Sequence, residues 1–148
     1  GTNLLREGYE RKSRTSPIFN YPYGRTREAL ERLAHFREID AWHGYKMRNV
    51  NPPTGGWAMP TLATSMQLLP SGFGTRPLRS TDSTVFVVVE GHGRSRVGEL
   101  EFEWGPHDIF VAPSWMQVSH AAQDDAFLFS YSDRAAQEAL DLLREERL

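Results

Sequence analysis

Histidines are the residues with the widest range of chemistry in this 148-residue chain. The chain has five of them and no cysteine, which excludes thiolate nucleophiles, thiolate metal sites and disulfides. An imidazole can act as a general base or bind a metal, but a catalytic metal site needs about three protein ligands. The five histidines are His35, His43, His92, His107 and His120. No phosphate-binding loop, dinucleotide fingerprint or nucleophile–base set accompanies them, so local motifs alone define no site.

Charged residues beside the apolar run at positions 85–89 are the next candidates. Arg79 and Asp82 lie in the polar stretch that precedes this run. They could clamp a substrate, although an ion pair at a rim or a solvated loop is the simpler interpretation. Asp108 follows a Gly-Pro-His turn, and we expect its carboxylate to stabilise that turn rather than to act as a base.

The scaffold that must position these side chains is predicted to be rich in strands. Between residues 61 and 130, short apolar or alternating segments are separated by turn formers, which predicts about seven strands in a sandwich or barrel. A helix is expected at residues 25–36. A second helix is expected after Ser132 and Asp133, which offer an N-cap. Its apolar face is predicted from the spacing of Ala136, Leu140 and Leu143.

The chain is predicted to consist of an interdomain arm, residues 1–56, and a barrel with its terminal helix, residues 57–148. The arm contains an apolar, aromatic cluster, formed by Pro17, Ile18, Phe19, Tyr21, Pro22 and Tyr23. An apolar segment with little structure of its own is expected to be covered. It packs either on its own barrel or on another domain or subunit, and the sequence leaves both possibilities open.

Several segments together resemble one known family. They are SPIFNYPYGRTREAL, MRNVNPPTGG, MPTLATSMQLLP, STDSTVFVVVEG, DIFVAPSW and SDRAAQEALDLLREER. In this order they resemble the C-terminal half of the gentisate 1,2-dioxygenase family, whose members are bicupins with two cupin domains in one chain. The resemblance implies a mainly all-β fold, the cupin-type double-stranded β-helix or jelly-roll barrel, with a helix-containing N-terminal arm and a C-terminal helix.

The resemblance also implies a chemistry for the parent enzyme. In this family an Fe(II) held by three histidines binds O2 and a small aromatic hydroxy acid, and the ring is cut between the carbons bearing the carboxylate and the hydroxyl. Such a site needs a redox-active metal with open coordination positions.

The family's metal-binding motif can be placed on this sequence by starting at Gly72. The two histidine positions of its first half then fall on Leu78 and Ser80, the glutamate position on Thr84, and the histidine of its second half on Val118. None of these side chains is a good iron ligand, so the resemblance implies vacated metal-ligand positions. His120 has the same strand facing as Val118 and is the one possible residual site residue, although a surface or hydrogen-bonded role is the simpler expectation.

The leading interpretation is therefore a metal-free cupin half with no catalytic residue and no cofactor of its own. Fe(II) is expected in an N-terminal cupin domain of the same protein, and this half is expected to be inactive alone, with a structural and oligomerisation role. A second hypothesis is a stand-alone metal-free cupin that binds a small aromatic or apolar ligand among Leu78, Phe86 and Val118. A third is an enzyme with an unusual metal site around His120.

Composition excludes some other classes of function. The net charge is −2 with acidic and basic residues interspersed, which argues against a nucleic-acid partner. The longest apolar run is far shorter than the roughly 20 residues of a membrane span. A cytoplasmic homo-oligomer is expected. The sequence leaves open whether the aromatic substrate is gentisate, salicylate or 1-hydroxy-2-naphthoate.

Overall fold

Two antiparallel sheets face each other in the computed structural model, which describes residues 23–50, 54–57, 59 and 61–148. The helices are α1 (Tyr23–Phe36) and α2 (Arg134–Ala139). The strands are β1 (Tyr45–Arg48), β2 (Ala63–Leu69), β3 (Leu78–Ser80), β4 (Thr84–Glu90), β5 (Gly93–Val97), β6 (Leu100–Trp104), β7 (Ile109–Ala112), β8 (Val118–Ala122), β9 (Ala126–Ser132) and β10 (Glu145–Arg147). Sheet 1 has the order β1-β2-β9-β4-β7, and sheet 2 has the order β10-β3-β8-β5-β6. The predicted mainly β, cupin-type fold is confirmed.

The core lies between the two sheets because successive strand residues point to opposite faces. Leu69, Phe86 and Leu128 of sheet 1 are buried in one cluster with Trp104 and Ala122 of sheet 2. In β2 the alternation places Leu69 in this inner cluster and Leu68 in a second cluster on the outer face. The predicted barrel interior is therefore a packed core over much of its depth.

Helix α1 covers part of the outer face of sheet 1, and the prediction of a helix at residues 25–36 is confirmed. Its Leu30 is fully buried against Met66, Leu68 and Phe127. A β-bulge between Val88 and Glu90 re-aims the strand at this point. Glu90 accepts hydrogen bonds from Tyr23 and from Arg27 of the helix. Apolar burial and this charged pair therefore fix α1 on the sheet.

The predicted C-terminal helix is only partly correct. Helix α2 ends at Ala139, and Asp141 has a φ of 57°, which stops the helical path. The chain then returns as β10 and pairs with β3, so that Leu143 does not extend a helical face. Non-local pairing outweighs the local spacing of apolar residues here, and Leu140 is 68% exposed.

Asp133 lies at the N-cap of α2, as predicted, but its side chain does not hydrogen-bond to the first backbone N–H groups of the helix. The Asp133 carboxylate accepts hydrogen bonds from the Ser83 backbone N–H and from the Gln137 side chain. The Ser132 hydroxyl accepts from the Arg134 backbone N–H. The helix start is thus tied to the loop before β4.

The predicted arm contributes to sheet 1, because β1 pairs with β2 over four residues. Of the aromatic cluster in the arm, only Tyr23 belongs to the described residues, and its ring contacts Phe127. Positions 17–22 lie outside them. The boundary between residues 56 and 57 stays a prediction.

Gly91, which directly follows β4, allows a strong test of the fold. Its φ is 91°, and a Cβ there would meet the Asp125 carbonyl oxygen at 2.4 Å. We expect Gly91→Ala to cost about 3 kcal/mol or more of unfolding free energy, from unfavourable φ and overlap with backbone together. Urea unfolding of the 148-residue chain measures this cost.

Gly72→Ala is the matched control, since Gly72 has a φ of 79° but no atom within 4 Å of the added Cβ. We expect it to cost about 1 kcal/mol, from φ alone. Equal costs for the two variants would contradict the role of close backbone approach at Gly91.

Candidate binding cavity in the barrel

A cavity opens at one end of the barrel, between the two sheets. It offers about 70 Å³ to the centres of water-sized molecules. Its lining residues are Trp42, His43, Lys46, Gln67, Leu78, Ser80, Asp82, Thr84, Phe86, Ala112, Pro113, Met116, Val118, His120 and Arg134. All four predicted metal-ligand positions and His120 are among them. Leu78 and Val118 are direct partners across β3 and β8.

His120 is buried in the wall of this cavity. Its Nδ1 lies 2.6 Å from the Ser95 hydroxyl oxygen, which accepts a hydrogen bond from Trp104 Nε1 at 2.8 Å. With the Trp104 hydrogen on Ser95, the Ser95 hydroxyl is placed to donate to Nδ1, which assigns the remaining ring hydrogen to Nε2. The rings of Phe86 and Phe110 pack against the imidazole. Burial, with a smaller effect of the Lys46 charge, lowers the pKa of His120 to about 3, so the ring is neutral.

The donor set of the cavity does not fit an Fe(II) site. Leu78 and Val118 have no lone pair, and the Ser80 hydroxyl donates to the Asp82 carboxylate. His120 would supply one imidazole where about three ligands are needed. Within residues 23–50, 54–57, 59 and 61–148, no group of three or more His, Asp or Glu side chains is placed to hold a metal. The absence of a metal from this half nevertheless stays a prediction.

Arg79 and Asp82, which are three residues apart in the sequence, have separate partners in the structure. Arg79 pairs with Glu146 of β10 at 2.7 Å and stacks on the Trp115 ring. Asp82 is buried, and its carboxylate lies 3.9 Å from Arg134. Arg79 is thus bound to β10, whereas Asp82 contributes to the cavity.

Arg134 is a cavity residue that the sequence did not identify. It pairs with Glu145 at 2.8 Å and with Glu138 at 3.3 Å, in addition to its contact with Asp82. Burial alone would raise the pKa of Glu145, but the hydrogen bond and the charge of Arg134 outweigh burial and hold this pKa below its ordinary value. Their assembly depends on the return of β10, which apolar spacing did not predict.

Lys46 and His43 were also missed as cavity residues. Lys46 lies opposite Gln67 in the β1–β2 pair, and Gln67 is buried. Lys46 as a whole residue is exposed to solvent. Its ammonium is nevertheless surrounded by protein atoms, and this desolvation, together with the positive charge of Arg134, lowers the pKa of Lys46. Burial and the Lys46 charge lower the pKa of His43 to about 4. The alternation of Tyr45 and Met47 with Lys46 and Arg48 was the available sequence signal for β1.

The remaining histidines and Asp108 lie away from the cavity. His35 is exposed at the end of α1, His107 is exposed in a turn, and His92 pairs with Asp124 on the surface. The Asp108 carboxylate accepts from the Gly105 backbone N–H, so the expected turn-stabilising role is confirmed.

Comparisons with known proteins agree with this architecture. The chain is 52% identical over 147 residues to gentisate 1,2 dioxygenase 1 of Aquipseudomonas alcaligenes, which covers 99% of the chain and 42% of the relative. It superposes on a structure of salicylate 1,2-dioxygenase from Pseudoaminobacter salicylatoxidans with a TM-score of 0.83 at 31% identity, over 99% of the chain and 42% of the other protein. No family model matches.

A more distant structure supports the fold alone. It is a cupin 2 domain-containing protein from Halorhodospira halophila, with a TM-score of 0.55 and 19% identity over 66% of the chain and 68% of that protein. The chain spans about two fifths of the length of the dioxygenases it matches. It therefore belongs to the gentisate 1,2-dioxygenase family and corresponds to the C-terminal cupin domain.

Proposed function

We propose that this chain is the metal-free cupin half of an Fe(II)-dependent aromatic ring-cleaving dioxygenase, whose iron site lies in an N-terminal cupin domain. The observation that carries the proposal is the 52% identity to a gentisate dioxygenase over only 42% of its length. An identity this high across 99% of the chain supports shared ancestry, and the unmatched length leaves room for a second cupin domain.

The composition of the cavity supports the proposal that this half is metal-free and that the other half holds the iron. Leu78 and Val118 fill two ligand positions with hydrocarbon, and the imidazole of His120 in the same cavity wall is hydrogen-bonded to Ser95. We infer that the parent enzyme oxidises a gentisate-like hydroxy acid in its other half, and that this half is inactive alone. A cytoplasmic location belongs to the same proposal. No helix in the described part of the chain is long and apolar enough to cross a membrane.

The outer surface of sheet 1 supports a structural role through packing on a partner. Val85 pairs with Val111 and Val87 pairs with Ile109, so these four apolar side chains share one face. Ile109 is 66% exposed and Val111 is 51% exposed. An exposed cluster of this kind is typical of a contact surface, and we assign it to the N-terminal cupin domain or to a neighbouring subunit of a homo-oligomer.

The decisive experiment compares the full-length parent protein with the 148-residue chain. After loading with Fe(II) under anaerobic conditions, we expect about one iron per full-length chain and gentisate-dependent O2 uptake. The 148-residue chain is expected to retain no stoichiometric iron and to consume no O2. Oxygen uptake by the 148-residue chain with bound iron would overturn the proposal and favour a site around His120.

A further inference from the structure

Lys46 lies at the edge of the barrel cavity, and its ammonium forms no ion pair within the part of the chain that the structure describes. Its backbone pairs with Gln67, so the two side chains share the face of sheet 1 that lines the cavity. The carboxylates of Asp82, Glu145 and Asp40 act on this ammonium only from beyond ion-pair distance. Arg134 and Arg147, by contrast, each contact two or more carboxylates. Lys46 is therefore the cavity cation available to an incoming anion.

A second, outer chamber adjoins the cavity and shares with it His43, Lys46, Asp82, Thr84 and Arg134. It offers about 310 Å³ to the centres of water-sized molecules. Its described lining includes four cationic side chains and two carboxylates. The cations are Lys46, Arg48, Arg134 and Arg147, and the carboxylates are Asp82 and Glu145. Arg134 and Arg147 are also paired with Glu138 and Asp40. Among the described residues, Lys46 and Arg48 are therefore the lining cations without an ion pair, and their charge in a concave surface favours the entry of an anion.

The inner chamber is suited to an apolar group. Leu78, Phe86, Met116 and Val118 supply apolar wall, and its space for water-sized molecules is several times the roughly 10–15 Å³ that one water needs. At its wall the neutral His120 directs Nε2 away from Ser95, which occupies Nδ1. Apolar walls with a few fixed polar groups are the usual composition of small-molecule sites.

We propose that this barrel binds a small carboxylate with a compact apolar body, with the carboxylate on Lys46 and the body against the apolar wall formed by Leu78, Phe86 and Val118. The site needs no metal. The inference goes beyond the proposed function and is independent of it, because it requires neither an iron site nor a second domain. It makes this half a ligand-binding unit in its own right.

Benzoate is the probe, and benzamide is its neutral counterpart of nearly equal size. Each is titrated into the 148-residue chain in the presence of EDTA, and amide chemical shifts are followed by NMR. We expect benzoate to shift the amides of Gln67, Leu78 and Val118. Lys46→Met is expected to weaken benzoate binding about tenfold or more, as loss of a charge-assisted hydrogen bond does. Benzamide is expected to bind more weakly and equally to both proteins.

Two further variants distinguish a specific benzoate site at Lys46 from non-specific electrostatic attraction to surface cations. Lys46→Arg retains the cation and is expected to bind benzoate within about threefold of the original chain. Arg94→Met removes a cation from β5, where Arg94 is 58% exposed and pairs with Glu101, and is expected to leave binding unchanged. Unchanged affinity in Lys46→Met, equal weakening in Arg94→Met, or no shift of cavity amides at millimolar benzoate would each overturn the proposal. Loss of gentisate cleavage in the parent enzyme would not affect these outcomes.

Discussion

Between pH 7 and pH 5 the unfolding free energy of the chain is expected to fall by about 2 kcal/mol through His120 alone. The folded pKa of this histidine is about 3, because burial disfavours the charged ring, whereas its ordinary value is 6.5. Between these values the unfolded chain binds a proton that the folded chain does not, so stability decreases as the pH decreases. Each pKa unit is worth about 1.4 kcal/mol. His43, with a pKa of about 4, acts in the same direction.

The chosen pH window separates the histidines from the carboxylates. The pKa values of Glu90 and Glu145 are lowered in the folded protein, so their contribution is lost only below the ordinary glutamate value of 4.5. Urea unfolding at several pH values measures the slope. His120→Gln replaces the ring by a polar group that does not titrate. We expect the fall in unfolding free energy between pH 7 and pH 5 to be about 2 kcal/mol smaller in this variant than in the original chain, whatever the stability of the variant at pH 7.

His107→Asn is the matched control. His107 is an exposed histidine in a turn with a φ of 74°, a conformation that asparagine tolerates. We expect this variant to keep the slope of the original chain. If His120→Gln and His107→Asn showed the same slope, the acid sensitivity would not arise from the cavity.

The second large effect is a gain of metal binding when histidines are placed at three of the vacated positions. We expect the triple variant Leu78→His, Ser80→His, Val118→His to bind Co2+ or Zn2+ at least a hundredfold more tightly than the original chain. That ratio corresponds to about 3 kcal/mol. Leu78 and Val118 are cross-strand partners, and Ser80 lies two residues from Leu78 on the same face of β3. Visible absorption of bound Co2+ reports coordination, and calorimetry gives the affinity.

A variant with histidines on the opposite faces of the same strands controls for adventitious binding. Arg79→His and Ser119→His place imidazoles one residue away from the cavity-facing positions. We expect this double variant to bind no more tightly than isolated surface histidines. If the triple variant gained nothing over it, the backbone at β3 and β8 would have departed from ligand geometry, and the assignment of these positions would be wrong.

The sequence predicted the strands and the positions of the cavity residues better than it predicted the charged groups around them. The metal-binding motif of the family that the sequence resembles placed Leu78, Ser80, Thr84 and Val118, and the structure brings these four residues into one cavity. The same two-residue period placed His120 beside Val118. The strand facing of His120 follows from local periodicity, which a strand imposes on its own residues.

Lys46 and Arg134 could not be found in this way because their positions depend on distant pairing. Lys46 reaches the cavity only because β1 joins β2, and the ion pairs of Arg134 require the short strand β10 to return to β3. Strands of three or four residues carry little local signal. Their formation is decided by hydrogen bonding to neighbours that the sequence pattern does not specify.

The central position of β9 in sheet 1 has a consequence for the order of events during synthesis. This strand lies between β2 and β4, which precede it by many residues. While residues 126–132 remain inside the ribosome, β1 and β2 have no link to β4 and β7 within their sheet. Until then, the edges of β2 and β4 that pair with β9 in the folded protein stay unpaired and accessible to other chains. Folding of this barrel is therefore a late event in translation, and nascent chains halted before β9 are expected to be especially prone to aggregate.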